Sequence, residues 1–366
     1  MAREFDRKIV LEDGTEYLGY SFGAVQDKVC EFIFNTAMVG YQEIVSDPTY
    51  AYQAVLMTYP LIGNYGVTDE DYETRMPNIG ALICREYNEN NPSNFRATKT
   101  LAEWMEEYHI PGVFGMDTRK LARNIRDHGT QKGLITSPET TKEEALRILK
   151  ETELPTDAVS KTSCKKTWYS KTQNARYHVV AVDCGIKLSV IRELNLRGCN
   201  ITVVPYNTSA EEIIKMKPDG IYLSDGPGAP QNVPEVMELI HALKGKYPMF
   251  GIGLGHQLIG LAYGAQTYKM KVGHHGANHP IKHLADGRIE IATESHNYAL
   301  STESIADTDL QITHIDLLDQ TIEGISCEQD KVFSLQYYSE YTSDIKGNAS
   351  PFDRFISNMK EGKQHA

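Results

Sequence analysis

The chain has 366 residues, a formal net charge of −12 and 41% apolar residues, which suffices for two ordinary domains with separate cores. That acidic balance excludes a groove for a phosphate backbone, which needs clustered Lys and Arg, so no nucleic-acid partner is expected. No run approaches the ~20 apolar residues of a membrane span, the opening residues hold no apolar signal core, and the six cysteines form no CxxC pair; a cytoplasmic protein with reduced thiols and no membrane partner is expected.

The first half begins with strand-like runs at residues 8–11, 31–34 and 54–57. Helical periodicity follows at 100–108 and at 118–127, where Gly129 supplies a stop. The mixture predicts a smaller α+β N-terminal domain over 1–150. Apolar periodicity then fades into Ser, Thr and Lys, which predicts a linker over 151–177.

From 178 onward the rhythm changes. Strand runs at 178–183, 201–204, 220–223 and 249–254 alternate with helical runs at 188–196, 210–216, 233–243 and 255–263. Short strands alternating with helices of about ten residues predict right-handed βαβ crossovers and a wound, mainly parallel sheet over 178–366. Further strand-like runs lie at 266–271, 288–293, 311–314 and 332–336.

The segment Met249-Phe250-Gly251-Ile252-Gly253-Leu254-Gly255-His256-Gln257 carries the chemistry. A buried strand turns into a helix through a glycine-rich elbow, the arrangement that lifts a nucleophile clear of a sheet and places it at a helix N-terminus. A dinucleotide loop fits poorly, because His256 stands where the third glycine of G-x-G-x-x-G belongs. His274, His275 and His279 could suggest a metal site, but no Cys or Glu arrangement completes it, and none is expected.

With x at residue 253, the elbow resembles that of class I glutamine amidotransferases, where x is the nucleophilic cysteine. Ser224-Asp225-Gly226-Pro227-Gly228-Ala229-Pro230 resembles the family's Ser-Asn-Gly-Pro-Gly-Asp-Pro loop. The strings at 269–280, 34–44, 58–66 and 117–121 are similar to blocks peculiar to small subunits of carbamoyl-phosphate synthetase, and they occur in order along nearly the whole chain. The resemblance implies a class I glutamine-amidotransferase-like C-terminal domain behind the subunit's own N-terminal domain.

It also implies a catalytic triad that this chain lacks. Gly253 occupies the cysteine position, Tyr338 the histidine position and Ser339 that of the proline in Gln-x-His-Pro-Glu; only Glu340 is retained. Glycine cannot form a thioester, and tyrosine, titrating near 10, is a poor base at neutral pH. The implied glutamine pocket has drifted as well. Asn has become Ser295, Gly has become Asn297, Phe has become Tyr298, and the N-domain serine is Thr49; Gly226, Gly228, Leu254 and Gln257 persist.

The leading expectation is therefore a subunit that cannot hydrolyse glutamine but still partners a large subunit making carbamoyl phosphate from ammonia, bicarbonate and ATP for pyrimidine or arginine synthesis. ATP and Mg would belong to that large subunit, with no cofactor on this chain. Polar strings such as Gly40-Tyr41-Gln42-Glu43 look like its contact surface, with internal turns and hydrogen bonds as the alternative. Two alternatives stand beside this: a surviving glutaminase with a relocated nucleophile, for which Cys184 is the one candidate near the cleft, and a free-standing module binding a glutamine-like small molecule.

Overall fold

The computed structural model describes residues 3–338 and 350–364. It divides into two units, Met1–Thr156 with Lys271–Gly276, and Asp157–Met270 with Ala277–Ala366.

In the first unit, strand Arg7–Leu11 is buried at every position, a pattern that a sheet with one wet face would not give. The reason is closure. Arg7–Leu11, Glu16–Gly23, Pro111–Phe114, Ala81–Ile83, Gln53–Met57, Lys28–Asn35 and Gln131–Thr136 pair in that order, and the last returns to the first as a closed barrel. Ile9, Leu11, Phe32, Leu56 and Val113 pack together with Leu121 and Ile125 of helix Thr118–His128. Ile33, Val55 and Leu82 pack in a second cluster with Trp104 and Met105 of helix Leu101–Glu107. That helix starts at a capping box: Glu103 N donates to Thr100 Oγ1 at 3.2 Å, and Thr100 N donates to Glu103 Oε2 at 2.7 Å.

The string at 40–43 is largely internal, which corrects its reading as a contact surface. Tyr41 is 2% and Gln42 0% exposed. Tyr41 Oη donates to Gly66 O at 2.8 Å, while Gln42 Nε2 donates to Thr68 O at 2.7 Å and Gln42 Oε1 accepts from Thr68 N at 2.9 Å. These side chains lock one loop to another, because buried polar groups must find partners.

The second unit is built on a ten-stranded sheet in the order Trp168–Ser170, Cys199–Pro205, Tyr177–Asp183, Gly220–Leu223, Met249–Ile252, Val332–Leu335, Ile322–Cys327, Gln311–Asp316, Thr267–His283 and Ile289–Leu300. From Cys199–Pro205 to Val332–Leu335 all neighbours pair in parallel. Val180 and Val182 pack into one cluster and Val179 and Ala181 into another, so these strands are covered on both faces and read as continuous apolar runs. The segment read as a linker, 151–177, carries helix Ala158–Thr162 and strand Trp168–Ser170, and the latter pairs antiparallel with Cys199–Pro205. That edge strand is only Trp-Tyr-Ser, flanked by Lys and Thr, so its run is too short to show the apolar signature of the strands inside.

Candidate active site

Strand Met249–Ile252 ends and helix Leu254–Ala262 begins with only Gly253 between them. Gly253 has φ 56° and ψ −112°, so the elbow keeps the positive φ of a nucleophile turn although no side chain projects from it. Its neighbour in the sheet, Gly220–Leu223, leads into the Ser224–Gly226 loop at the same, carboxyl end. This is where wound sheets bind ligands.

Asp225 occupies that corner. Its Oδ1 accepts N–H groups from Leu254 at 2.8 Å and from Gly226 at 2.7 Å, and Tyr338 Oη donates to its Oδ2. Asp225 and Tyr338 are 4% and 3% exposed. Lys187, also buried, sets its ammonium 3.3 Å from the centre of the Tyr338 ring, a close cation–π contact. The first backbone N–H of an elbow helix and one from a neighbouring loop are the donors that elsewhere hold a tetrahedral oxyanion. Here a fixed carboxylate of the chain itself holds them, favoured by the positive end of the helix.

The sequence-derived positions therefore converge only in part. Gly253, Leu254, Gly226 and Tyr338 surround Asp225, whereas Gly228, at φ 86°, is exposed. Gln257 Nε2 donates to Tyr298 O at 2.8 Å and to Gln336 Oε1 at 3.0 Å, tying the elbow helix to strand Ile289–Leu300. Ser295 is buried on that strand, and Asn297 and Tyr298 are half-buried. Thr49 lies in the first unit, where its hydroxyl donates to Asp47 Oδ1 at 2.7 Å. Ser339 and Glu340 lie outside the described residues.

Cys184 does not fit the part of a relocated nucleophile. It is 1% exposed, and burial, then the carboxylates of Asp183, Asp225 and Glu235, push its thiol well above the ordinary range. A reactive cysteine needs the opposite surroundings.

Sequence reasoning missed Asp225 and Lys187. The signal for Asp225 was present, since the family's loop carries Asn where this chain has Asp; Lys187 gave none.

Residues 9–135 match the family model for the carbamoyl-phosphate synthase small chain, CPSase domain, and residues 180–358 match that for class-I glutamine amidotransferase. A carbamoyl phosphate synthase small chain of Listeria innocua is 46% identical over 363 residues, covering 98% of this chain and 99% of its own length. This chain belongs to the carbamoyl-phosphate synthase small-chain family. A small chain of Staphylococcus epidermidis is likewise 46% identical, over 98% of this chain and 97% of its own, and one of Fusobacterium nucleatum is 44% identical over 97% and 98%. Among the described residues no helix is long and apolar enough to cross a membrane.

Proposed function

We propose that this family member does not hydrolyse glutamine and serves as the non-catalytic partner of a large synthetase subunit that makes carbamoyl phosphate from ammonia, bicarbonate and ATP. The observation that carries the reading is the Asp225 carboxylate on the N–H groups of Leu254 and Gly226. Removing a triad nucleophile costs on the order of a millionfold in rate in the best-studied hydrolase. Filling the oxyanion site removes the electrostatic contribution that would otherwise remain, worth about 2.7–4 kcal/mol for one donor elsewhere. Gly253, Tyr338 and Asp225 thus each oppose the same reaction at a different step.

The retained family sequence over both halves supports a retained partner, since the relatives are named small chains. The test is to mix this chain with the large subunit and follow carbamoyl phosphate with each nitrogen donor. Synthesis from ammonium but not from glutamine is expected. Glutamate formation at even one turnover per second would overturn the loss of glutaminase activity, and separate elution of the two chains at micromolar concentration would overturn the partnership.

A further inference from the structure

Three carboxylates in the second unit are wholly buried: Glu294, Asp316 and Glu323 are each 0% exposed. They come from strands that lie near one another at one side of the sheet, Ile289–Leu300, Gln311–Asp316 and Ile322–Cys327. Two imidazoles of the same unit face them. His279 Nδ1 is 3.2 Å from Asp316 Oδ2 and 3.5 Å from Glu294 Oε2. His296 Nε2 is 3.2 Å from Glu294 Oε2 and 4.0 Å from Glu323 Oε1.

The geometry of one subset matches a cation. The donor atoms of His279, Glu294 and Asp316 all lie within 4.8 Å of one another. Imidazole and carboxylate ligands about 2.0–2.1 Å from a tetrahedral ion stand roughly 3.3–3.4 Å apart, close to the 3.2 and 3.5 Å measured from His279 Nδ1.

The surroundings orient these atoms as an outer shell would. Leu318 N donates to Asp316 Oδ1 at 2.5 Å, which turns Oδ2 toward His279. His296 is held by its other nitrogen, 2.9 Å from Tyr298 O, with Nε2 beside Glu294. The His279 side chain is 13% exposed, so the cluster is not sealed from solvent.

We propose that His279 Nδ1, Glu294 Oε2 and Asp316 Oδ2 bind one divalent transition-metal ion of the zinc class, with His296 positioning Glu294. No sequence pattern marks it, because two of the three ligands lie on later strands, away from the histidine-rich segment. The site shares strand Ile289–Leu300 with the implied glutamine pocket, Glu294 and His296 flanking Ser295.

The full chain, stripped by chelation, is titrated with zinc chloride in a calorimeter and, separately, with cobalt(II) followed by visible absorption. One zinc per chain at a submicromolar Kd is expected, with a tetrahedral cobalt d–d band lacking thiolate charge transfer. Asp316→Asn, which keeps the acceptor for Leu318, should weaken zinc at least tenfold, as should His279→Gln. No saturable binding by the unaltered chain overturns the proposal, as does unchanged binding in both variants. A thiolate band would move the ion to a cysteine and overturn it equally. Should either variant fail to fold, the cobalt spectrum of the unaltered chain decides alone.

Discussion

Asp225 fills the space that a side chain at Gly253 would need. A Cβ built on Gly253 would stand 2.5 Å from Asp225 Oδ2 and closer still to Oδ1, where real Cβ contacts essentially never fall below 3.0 Å. Asp225 cannot simply swing aside, because two backbone N–H groups and the Tyr338 hydroxyl hold it. The loss of the nucleophile and the acquisition of this carboxylate are thus one packing arrangement.

Reversal consequently needs more than the two triad positions. Gly253→Cys with Tyr338→His should stay at background in glutamate release, because the thiol collides with Asp225 and meets a carboxylate that disfavours its thiolate. Adding Asp225→Ala, which removes both the charge and the colliding atoms, should raise turnover at least tenfold over the double variant. Equal rates in the double and triple variants would show that Asp225 does not obstruct the site.

Tyr338→Phe removes the hydroxyl that donates to Asp225 and leaves a buried carboxylate one partner short. An orphaned buried group costs about 1–3 kcal/mol, more when charged. The urea midpoint should fall accordingly with little change in slope. Asp225→Asn in the Tyr338→Phe background should recover part of the loss, since the desolvated charge is gone. A midpoint unaffected by Tyr338→Phe would deny the bond any structural weight.

The elbow and the two lost triad positions were legible in sequence, because a strand–glycine–helix pattern and a short motif fix them locally. The role of Asp225 was not legible, since it depends on the loop after one strand meeting the end of the next. Closure of the first unit into a barrel was hidden for a related reason: period-two burial marks a strand such as Glu16–Gly23 but does not name its partners. Tyr41 and Gln42 misled because polar side chains that cross-link buried loops carry the composition of a surface. His279 looked isolated until strands Ile289–Leu300 and Gln311–Asp316 brought Glu294 and Asp316 beside it.

His256 should make stability fall on mild acidification. It is 0% exposed, with Nδ1 3.0 Å from Ser334 Oγ; burial first, then neighbouring His296, holds its pKa down at about 3. The unfolded chain takes up this proton below about pH 6.5 while the native chain refuses it until about 3. Native stability from this group is thus full above pH 6.5 and is lost as pH falls through that window, at up to about 1.4 kcal/mol per pH unit. Between pH 7 and 5 the unaltered chain should lose about 2 kcal/mol more than His256→Gln. Urea midpoints at the two pH values check this, and parallel losses in both proteins would refute it.

Association with the large subunit should depend on Met38 and Val39, which precede the internal 40–43 string. They are 71% and 79% exposed and adjacent, which makes them a small apolar pair on the surface. Their loop is held from both ends: Asn35 Oδ1 accepts from Ala37 N at 2.7 Å, Asn35 Nδ2 donates to Tyr50 Oη at 2.9 Å, and Tyr41 stacks on Tyr65 with ring centres 4.0 Å apart. A rigid loop that offers two apolar side chains loses little entropy on docking, and burying each contributes about 1.5–3 kcal/mol. Val39→Asp should weaken the complex at least tenfold, and Met38→Ser with Val39→Asp further, because the carboxylate would have to be desolvated. Neither change touches the core, so the thermal midpoint of the free chain should stay within a degree or two, which separates a docking defect from misfolding. The measurement is the Kd for the purified large subunit; an affinity unchanged in the double variant places the contact on another surface of the chain.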